Sequence, residues 1–299
     1  MQICVFVGTT AELIKLFPVV KALEGKGFEV TFCISGQNDV TKSALWSQLK
    51  PQKVVKLSVG PKFPGALGLI WWFVGLVCST VLGAAHLHEE VEAPAVCIVH
   101  GDTVSTLLGA FWARRNGLKV AHVEAGLRSF SILSPFPEEL CRILVSYLSH
   151  LSFCPNDWSV KNLRKRKSIK INTNGNTLLD VVAMAMRDPE IAPVENLPPK
   201  YFVFVLHRQE NLIDERFVRA IWGKIKKESG KIPCLLILHH TTNSTFEKLG
   251  ILGELADLRT VHPVPRLEFH QFIQLLSSAE FIVTDGGSNQ EESFYLGKP

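Results

Sequence analysis

The sequence predicts an α/β protein with two doubly wound parallel sheets, and two observations carry this prediction. Short apolar runs alternate with stretches of helical period, beginning with a strand, a helix and a second strand within the first 34 residues. The same alternation restarts at Tyr201, after the Pro-rich stretch 188–200. A chain of 299 residues is long enough to bury a core in each half. We therefore expect a first domain over 1–187, a linker over 188–200 and a second domain over 201–299.

Composition narrows the classes of protein to which the chain can belong. The formal net charge is +4 and the one concentrated basic run is 161–170, so binding to nucleic acid is not favoured. The seven cysteines form no CxxC pair and mostly lie in apolar runs, which indicates buried free thiols rather than zinc ligands or disulfides. The apolar start leads directly into a strand, turn and helix, so no signal peptide is expected. We predict a cytoplasmic location.

Three carboxylates make residues 98–142 the centre of the first half. Asp102 and Glu124 each follow an apolar run that predicts a buried parallel strand. Ligands of an open α/β sheet bind beyond the carboxyl ends of the strands, so both acids should face the same crevice. Glu138 lies in a Pro-flanked segment that enters a helix. The alternative is that Asp102 caps the helix starting near Val104 and that both glutamates are solvated.

The turn after the first strand, residues 8–12, lacks the G-x-G-x-x-G pattern of dinucleotide sites. Its free helix N–H groups, together with Lys15 one turn further on, nevertheless suit a phosphate. An ordinary turn with a solvated lysine is the equally weighted alternative.

Residues 66–85 form a run of twenty uncharged residues, long enough to span a bilayer. The strands predicted before and after this run belong to one sheet, however, and a membrane span would place them on opposite sides. We therefore interpret the run as a crossover helix that is apolar on all sides. Trp71, Trp72 and Phe73 must fan over different faces, so some aromatic surface should point outward. The first interpretation is a subunit interface in a homodimer, the second is peripheral contact with a membrane surface, and the third is a plain core helix.

Polar residues also follow the predicted strands of the second half. His207 and His240 each follow an apolar run, and the strand 280–284 leads into Asp-Gly-Gly-Ser. Backbone N–H groups at such a strand-to-helix turn can hold a phosphate. Glu292, one turn into that helix, can reach ribose hydroxyls, or it is a solvated acid favoured by the helix dipole. The two halves thus predict Rossmann-like domains whose strand ends face one cleft.

These patterns resemble one known family, the non-hydrolysing UDP-N-acetylglucosamine 2-epimerases of glycosyltransferase-B (GT-B) fold. The resemblance covers essentially the whole chain and depends on the order and spacing of several strings. The strings are GTTAELIK (8–15), HGDTVST (100–106), HVEAGLRS (122–129), SPFPEEL.R (134–142), NGNTLLDVV (174–182), HRQEN (207–211) and DGGSNQEE (285–292), followed by LGKP.

The resemblance implies that UDP-GlcNAc and UDP-ManNAc, precursors of cell-surface polysaccharides, are interconverted without NAD or a metal. UDP would leave by anti elimination, giving 2-acetamidoglucal, and then re-add on the other face. This chemistry needs a base, an acid and stabilisation of the departing diphosphate. The residues carried over as the catalytic set are Asp102, Glu124, Glu138 and His207. The predicted substrate contacts are Arg142 in the same cleft, Gly287 and Ser288 at the diphosphate, Glu292 at ribose, Phe272 stacked on uracil, and in addition Lys15 and His240.

The sequence departs from the family pattern at several positions. Thr10 and Ala11 replace the Arg and Pro of the usual GTRPE turn, and Asn38 replaces a usual His. Both changes touch regions that the family uses for the nucleotide and for allosteric UDP-GlcNAc. Family members also continue beyond Pro299 with a strand, a Thr-Glu-Arg-Pro loop and a terminal helix. We therefore expect an incomplete second domain and weak binding of the UDP-sugar.

Three alternative functions stay open at this point. A hydrolysing relative of the same fold would release UDP and free ManNAc. A glycosyltransferase of the same fold ranks lower, because it would not need three acids converging from the first domain. A degenerate UDP-sugar-binding or membrane-associated partner subunit is the third.

Overall fold

The computed structural model describes residues 3–58, 60, 65–82, 96–132, 136–188, 194–195 and 197–299. They form two compact units, Met1–Val181 and Val182–Pro299. Each unit carries a parallel sheet with helices, which confirms the predicted pair of Rossmann-like α/β folds. The predicted domain boundaries stay a prediction, and part of the predicted linker, residues 189–193 and 196, lies outside the described residues.

Unit one alternates strands and helices along the chain. Its elements are β1 (Ile3–Val7), α1 (Thr10–Gly25), β2 (Val30–Ile34), α2 (Ala44–Leu49), β3 (Lys53–Lys56), α3 (Gly65–Val81), β4 (Val96–His100), α4 (Val104–Arg115), β5 (Lys119–Val123), α5 (Glu138–Leu148), β6 (Leu151–Cys154), α6 (Asp157–Asn162), β7 (Ile169–Asn172) and α7 (Thr177–Arg187), the last of which continues into unit two.

Unit two repeats the alternation with fewer strands. Its elements are β8 (Phe202–Val205), α8 (Gln209–Ile213), α9 (Glu215–Ser229), β9 (Cys234–Leu238), α10 (His240–Lys248), α11 (Ile251–Leu255), β10 (Val261–Pro265), α12 (Phe269–Ser278), β11 (Ile282–Thr284) and α13 (Gly287–Tyr295).

The sheet of unit one places the acidic loops side by side. Within the described residues its strands are all parallel, in the order β3-β2-β1-β4-β5-β6-β7. β2 and β3 lie on one side of β1, and the chain then crosses over so that β4 lies on the other side. Ligands of doubly wound folds bind at such a switch point. His100 pairs with Val123 in the register of β4 and β5, so Asp102 and Glu124 lie just beyond neighbouring strand ends.

The sheet of unit two gathers its polar loops in the same way. Its described strands are parallel in the order β10-β9-β8-β11. Val205 pairs with Ile237 on one side and with Thr284 on the other. The loops that start at His207, at His239 and at Asp285 therefore leave adjacent strand ends.

Helix α3 confirms the prediction of a crossover helix with an outward aromatic surface. Trp72 and Leu76 pack into the core, whereas Trp71 is 73% exposed. Residues 83–85 of the predicted run lie outside the described residues. Among the helices that the structure describes, none is long and apolar enough to cross a membrane. The homodimer interface and the peripheral membrane contact stay predictions.

The cysteines are free, as predicted, and six of them are buried. The exception is Cys78, which is exposed on α3 because its position in the helix places it on the outward side. The prediction of buried thiols is therefore wrong for this residue.

Helix α4 packs so closely on β1 that one position allows no side chain. A Cβ atom added to Gly109 would lie 2.5 Å from the ring of Phe6. Trp112, one turn later, is fully buried with its ring centroid 5.9 Å from that of Phe6. This contact holds the middle of α4 against the sheet.

We predict opposite effects of two Gly→Ala substitutions on the free energy of unfolding. Gly109→Ala should destabilise the protein by about 1–3 kcal/mol, because the new methyl group overpacks the Phe6 contact. Gly75→Ala should stabilise it by about 0.5–1 kcal/mol, because Gly75 is an exposed position of α3 with nothing within 4 Å of the added Cβ. Urea unfolding measures both changes. Equal effects of the two substitutions would contradict the proposed packing of α4.

Candidate active site

The turn between β1 and α1 is closed by the carboxylate of Glu12. Its Oε2 atom accepts the backbone N–H groups of Gly8 at 2.6 Å and of Thr9 at 3.1 Å, and its Oε1 atom accepts the hydroxyl of Thr103. Burial raises the pKa of Glu12, although the hydrogen bonds from Thr103, Gly8 and Thr9 oppose that rise. The sequence predicts free helix N–H groups at this turn. Gly8 and Thr9 precede the helix, and their N–H groups are taken because a buried carboxylate needs donors. Within the first helical turn, the N–H group of Glu12 donates to the Thr9 hydroxyl at 3.2 Å, so the prediction is wrong for this group.

Asp102 does not cap α4. Thr103 is the N-cap residue: its hydroxyl accepts the N–H group of Thr106 at 3.0 Å, and the Thr106 hydroxyl accepts the N–H group of Thr103 at 3.2 Å. The capping interpretation of Asp102 is therefore wrong. Its carboxylate instead lies 2.6 Å from the guanidinium of Arg142 on α5, and about a quarter of its side chain is exposed.

Glu124 is a buried carboxylate that accepts two hydrogen bonds and lies close to an imidazole, and these three partners come from three segments. Its Oε2 atom lies 2.8 Å from Lys15 Nζ, 2.7 Å from Asn176 Nδ2 and 3.4 Å from His100 Nε2. Its Oε1 atom accepts no hydrogen bond from the described residues. Only 10% of the side chain is exposed, so the alternative of a solvated glutamate is wrong here. The ammonium group that the sequence assigns to a phosphate is directed at Glu124, and the phosphate role of Lys15 stays a prediction.

The backbone and the charge of Glu124 are both unusual. Its φ angle of 63° lies in the left-handed region, which residues with a Cβ rarely adopt and which often occurs at functional sites. Burial alone would raise the pKa of its carboxyl, but His100 and Lys15 lower it, and the resulting pKa lies well below the usual range. Glu124 is therefore ionised at neutral pH.

Two histidines line the strand ends beneath these acids. His122 is buried, and its Nε2–H group donates to the carbonyl oxygen of Gly101 at 2.7 Å. Burial lowers the pKa of His122 to about 4, so its imidazole is neutral at neutral pH. His100, which is also buried, faces Glu124.

Glu138 begins α5 on the same side as Asp102. Both carboxylates act on the thiol of Cys141, whose pKa rises to about 12 because of burial and of these two negative charges. The Oε2 atom of Glu138 is buried and accepts no hydrogen bond from the part of the chain that the structure describes. Unit one thus brings Asp102, Glu138 and Arg142 together at the strand ends, next to the group around Glu124.

In unit two, Asp285 organises the loop that contains His207. Its carboxylate accepts the N–H groups of His207 at 3.0 Å and of Arg208 at 2.9 Å, and the amide of Asn211 at 3.0 Å. Burial alone would raise the pKa of Asp285, but the hydrogen bonds from Asn211 and from the two N–H groups outweigh this effect, and the pKa lies below its ordinary value. The His207 ring is about a third exposed, with Nδ1 3.5 Å from Asp285.

His239, rather than His240, is the imidazole beside His207. The centroids of the His207 and His239 rings are 5.1 Å apart, whereas His240 is exposed at the start of α10. Burial lowers the pKa of His239 to about 4, and the neighbouring charges of His207 and Arg266 lower it further. The predicted substrate contact of His240 stays a prediction.

The Gly-Gly-Ser turn opens α13 as predicted. A Cβ atom on Gly286 would lie 2.5 Å from Asn289 Oδ1 and 2.6 Å from the His207 ring, so a larger residue would displace these two side chains. Gly287 and Ser288 are exposed in the first turn of the helix, where backbone N–H groups have no helical partner. Glu292 is buried and accepts the side-chain amide of Asn289 at 2.8 Å.

Phe272 is partly buried on α12 and packs against the core of unit two. Its predicted stacking on uracil, like the predicted ribose contact of Glu292, stays a prediction.

Sequence reasoning missed several residues of these groups. They are His100, His122, Asn176, His239 and Asp285. A signal existed for the first two, because each is the one polar residue near the end of an otherwise apolar strand, two positions before an acid. The amide of Asn176 shows no such signal, since its partner is 52 residues away in sequence.

The arrangement in unit one is suited to moving protons. It combines an ionised glutamate, a carboxylate paired with arginine, and a carboxyl group with an unpartnered buried oxygen among the described residues. Acids in such different environments can divide base and acid roles between them. The helix start and the histidines of unit two are suited to an anion.

Comparison with known proteins identifies relatives over the whole chain. Residues 73–299 match the family described as UDP-N-acetylglucosamine 2-epimerase. The UDP-N-acetylglucosamine 2-epimerase of Methanococcus maripaludis is 28% identical over 314 residues, covering 100% of this chain and 81% of the relative. The UDP-2,3-diacetamido-2,3-dideoxy-D-glucuronate 2-epimerase of Pseudomonas aeruginosa is 35% identical over 214 residues, covering 70% of this chain and 58% of the relative.

A solved structure of the same family also matches this chain over its whole length. The crystal structure of Methanocaldococcus jannaschii UDP-GlcNAc 2-epimerase in complex with UDP-GlcNAc and UDP matches with a TM-score of 0.78 at 26% identity, and covers 100% of this chain and 83% of that chain.

We predict a pH-dependent contribution of His122 to stability. The unfolded chain protonates this imidazole below its ordinary pKa of 6.5, whereas the folded protein does so near pH 4, so the unfolded state binds more protons between these values. Stability should therefore fall as the pH drops from 7 to 5, by about 2 kcal/mol from this group. His122→Gln, which keeps an amide donor for Gly101, should lack this part of the loss. A pH-independent stability difference between the two proteins, measured by urea unfolding, would refute the assignment.

Proposed function

Because this chain belongs to the UDP-N-acetylglucosamine 2-epimerase family, we propose that it interconverts UDP-GlcNAc and UDP-ManNAc without releasing the free sugar. The observation that carries this proposal is the group of carboxylates beyond β4 and β5, each of which has different hydrogen-bond and ion-pair partners. Inversion at C2 of a nucleotide sugar needs proton removal from one face and proton delivery to the other. A phosphoryl-binding turn alone would not explain two acids at neighbouring strand ends and a third at the start of α5.

The proposed reaction proceeds by elimination and re-addition. A base takes the C2 proton, its electron pair forms the C1–C2 double bond, and the bond from C1 to the diphosphate oxygen breaks. This step releases UDP and leaves 2-acetamidoglucal. UDP then adds back at C1 while C2 receives a proton on the opposite face, so that atoms and charge balance over the cycle.

Asp102, Glu124 and Glu138 form the proposed acid–base set. The strongly lowered pKa of Glu124 makes it a fixed negative charge, and its Oε1 atom accepts no hydrogen bond from the described residues. Arg142 holds the carboxylate of Asp102, and Glu138 has a buried oxygen that accepts no hydrogen bond from the described residues. These environments support different roles for the three groups.

His207, Gly287 and Ser288 are the proposed ligands of the departing diphosphate. The exposed first turn of α13 offers N–H groups, and Asp285 orients the loop of His207. Glu292, Phe272, Lys15 and His240 are proposed to contact the remainder of the UDP-sugar.

The decisive experiment follows UDP-GlcNAc in heavy water. We expect deuterium at C2, formation of UDP-ManNAc and no requirement for added NAD. Free ManNAc together with UDP would place the enzyme in the hydrolysing class. Saturable UDP binding without exchange would favour a degenerate partner subunit. Faster exchange with UDP-2,3-diacetamido-2,3-dideoxy-D-glucuronate would make that sugar, rather than UDP-GlcNAc, the preferred substrate. This sugar is included because the 35% identical Pseudomonas aeruginosa relative is named for it.

We predict that Asp102→Asn and Glu124→Gln each lower the C2 exchange rate by about 10²–10⁴-fold, because each removes a carboxylate while preserving its size. UDP affinity, measured by calorimetry, should change little, since neither acid is a proposed diphosphate ligand. Wild-type exchange rates in both variants would exclude this group of acids as the reactive centre.

A further inference from the structure

We infer that Glu139 is a positioning residue for the proposed reaction: through Arg142 it holds the carboxylate of Asp102 in place, and through Arg128 and Ser129 it holds the loop that follows β5. This inference rests on the proposed function, because it gives Glu139 a purpose only if Asp102 takes part in proton transfer. Glu139 itself contacts side chains and backbone of this chain, not the reacting atoms.

Glu139 is a completely buried carboxylate with a full set of donors. Its side chain has 0% exposure. The Oε1 atom accepts Arg128 Nε, and the Oε2 atom accepts the N–H group of Ser129 at 2.9 Å and faces Arg142 Nη1 at 3.5 Å. A buried charge is costly unless paired in this way, so its presence at the first turn of α5 needs a reason.

Arg142 connects this buried acid to the exposed one. Its two terminal nitrogens divide their contacts: Nη1 faces Glu139, and Nη2 lies 2.6 Å from Asp102 Oδ2. Asp102 and Arg142 are 26% and 21% exposed, whereas Glu139 is not exposed at all. The guanidinium is thus anchored on the protein side and presents Asp102 on the open side.

The chemistry of the group requires a carboxylate at position 139. Arg128 and Arg142 carry two positive charges, which Glu139 and Asp102 balance. Burial alone would raise the pKa of Glu139, but the hydrogen bonds from Ser129 and Arg128 lower it, so the group is ionised at neutral pH. A neutral amide would leave one cation uncompensated and free Arg142 to leave its contact with Asp102.

The two neighbouring glutamates of α5 therefore have different roles. Glu138 belongs to the proposed acid–base set and has an unpartnered buried oxygen among the described residues, whereas Glu139 is fully engaged. Glu139 and Arg142 are three residues apart on α5 and therefore lie on one helix face. The same turn of helix supplies both the reacting group and its support.

Glu139→Gln tests the inference in the heavy-water exchange assay with UDP-GlcNAc. We expect kcat to fall about 10–100-fold, because a reacting carboxylate that loses its support is less often in the reactive position. KM should change by less than about threefold. Glu139→Asp keeps the charge and should recover part of kcat. The control is Glu254→Gln, which removes a carboxylate that likewise accepts one cationic side chain, Lys226, and one N–H group, that of the Trp222 ring, and which should exchange at the wild-type rate.

A double-mutant comparison separates positioning from a general loss of stability. If Glu139 acts through Arg142, adding Glu139→Gln to Arg142→Gln should lower kcat little further, whereas independent effects would multiply. If Glu139→Gln does not fold, Glu139→Asp takes its place in this comparison.

Three outcomes would overturn the inference. Wild-type kcat in folded Glu139→Gln, with Asp102→Asn inactive, would overturn it and leave the proposed function standing, as would a fully multiplicative loss in the double variant. Absence of exchange in the wild-type protein would overturn the proposed function, and the inference with it.

Discussion

A buried carboxylate is stable only if cations or hydrogen-bond donors surround it, and those of Glu124 come from three other segments of unit one. Lys15 comes from α1, His100 from β4 and Asn176 from the turn before α7. Each contact offsets part of the desolvation cost of the charge, and together they hold the left-handed backbone at position 124. The relative positions of these segments therefore depend on one carboxylate.

The carboxylates of this protein divide into supports and reactive groups. Glu12, Glu139 and Asp285 each accept backbone N–H groups from a loop that leaves a strand end, and each thereby fixes the loop shape. Asp102 and Glu138 have at most one ion-pair partner among the described residues and keep oxygen atoms available. Because the supporting acids fix the shapes of the loops, the available acids can be held at a fixed position without using all their oxygen atoms.

The positions of the acids could be predicted from the sequence, because polar residues directly follow apolar strands, but the partners of these acids could not. The strand-end positions of Asp102, Glu124 and His207 follow from apolar runs that end abruptly, and the parallel register then brings their loops together. The pattern of α3 likewise predicts a crossover helix with an exposed aromatic side. In contrast, both Asp102 and Thr103 can cap a helix, and only the hydrogen bonds show that Thr103 does so.

Periodicity, strand-end polarity and the order of the motifs are properties of the chain itself, and they determined the two α/β folds and the positions of the acids. Tertiary structure alone decided which charges meet: that Lys15 faces Glu124, that Arg142 joins Asp102 to Glu139, and that His239 rather than His240 stands beside His207. The physical reason is that hydrophobic periodicity acts over neighbouring residues, whereas a buried charge selects its partner by distance in space. Partners such as Lys15 and Glu124, 109 residues apart, leave no local trace in the sequence.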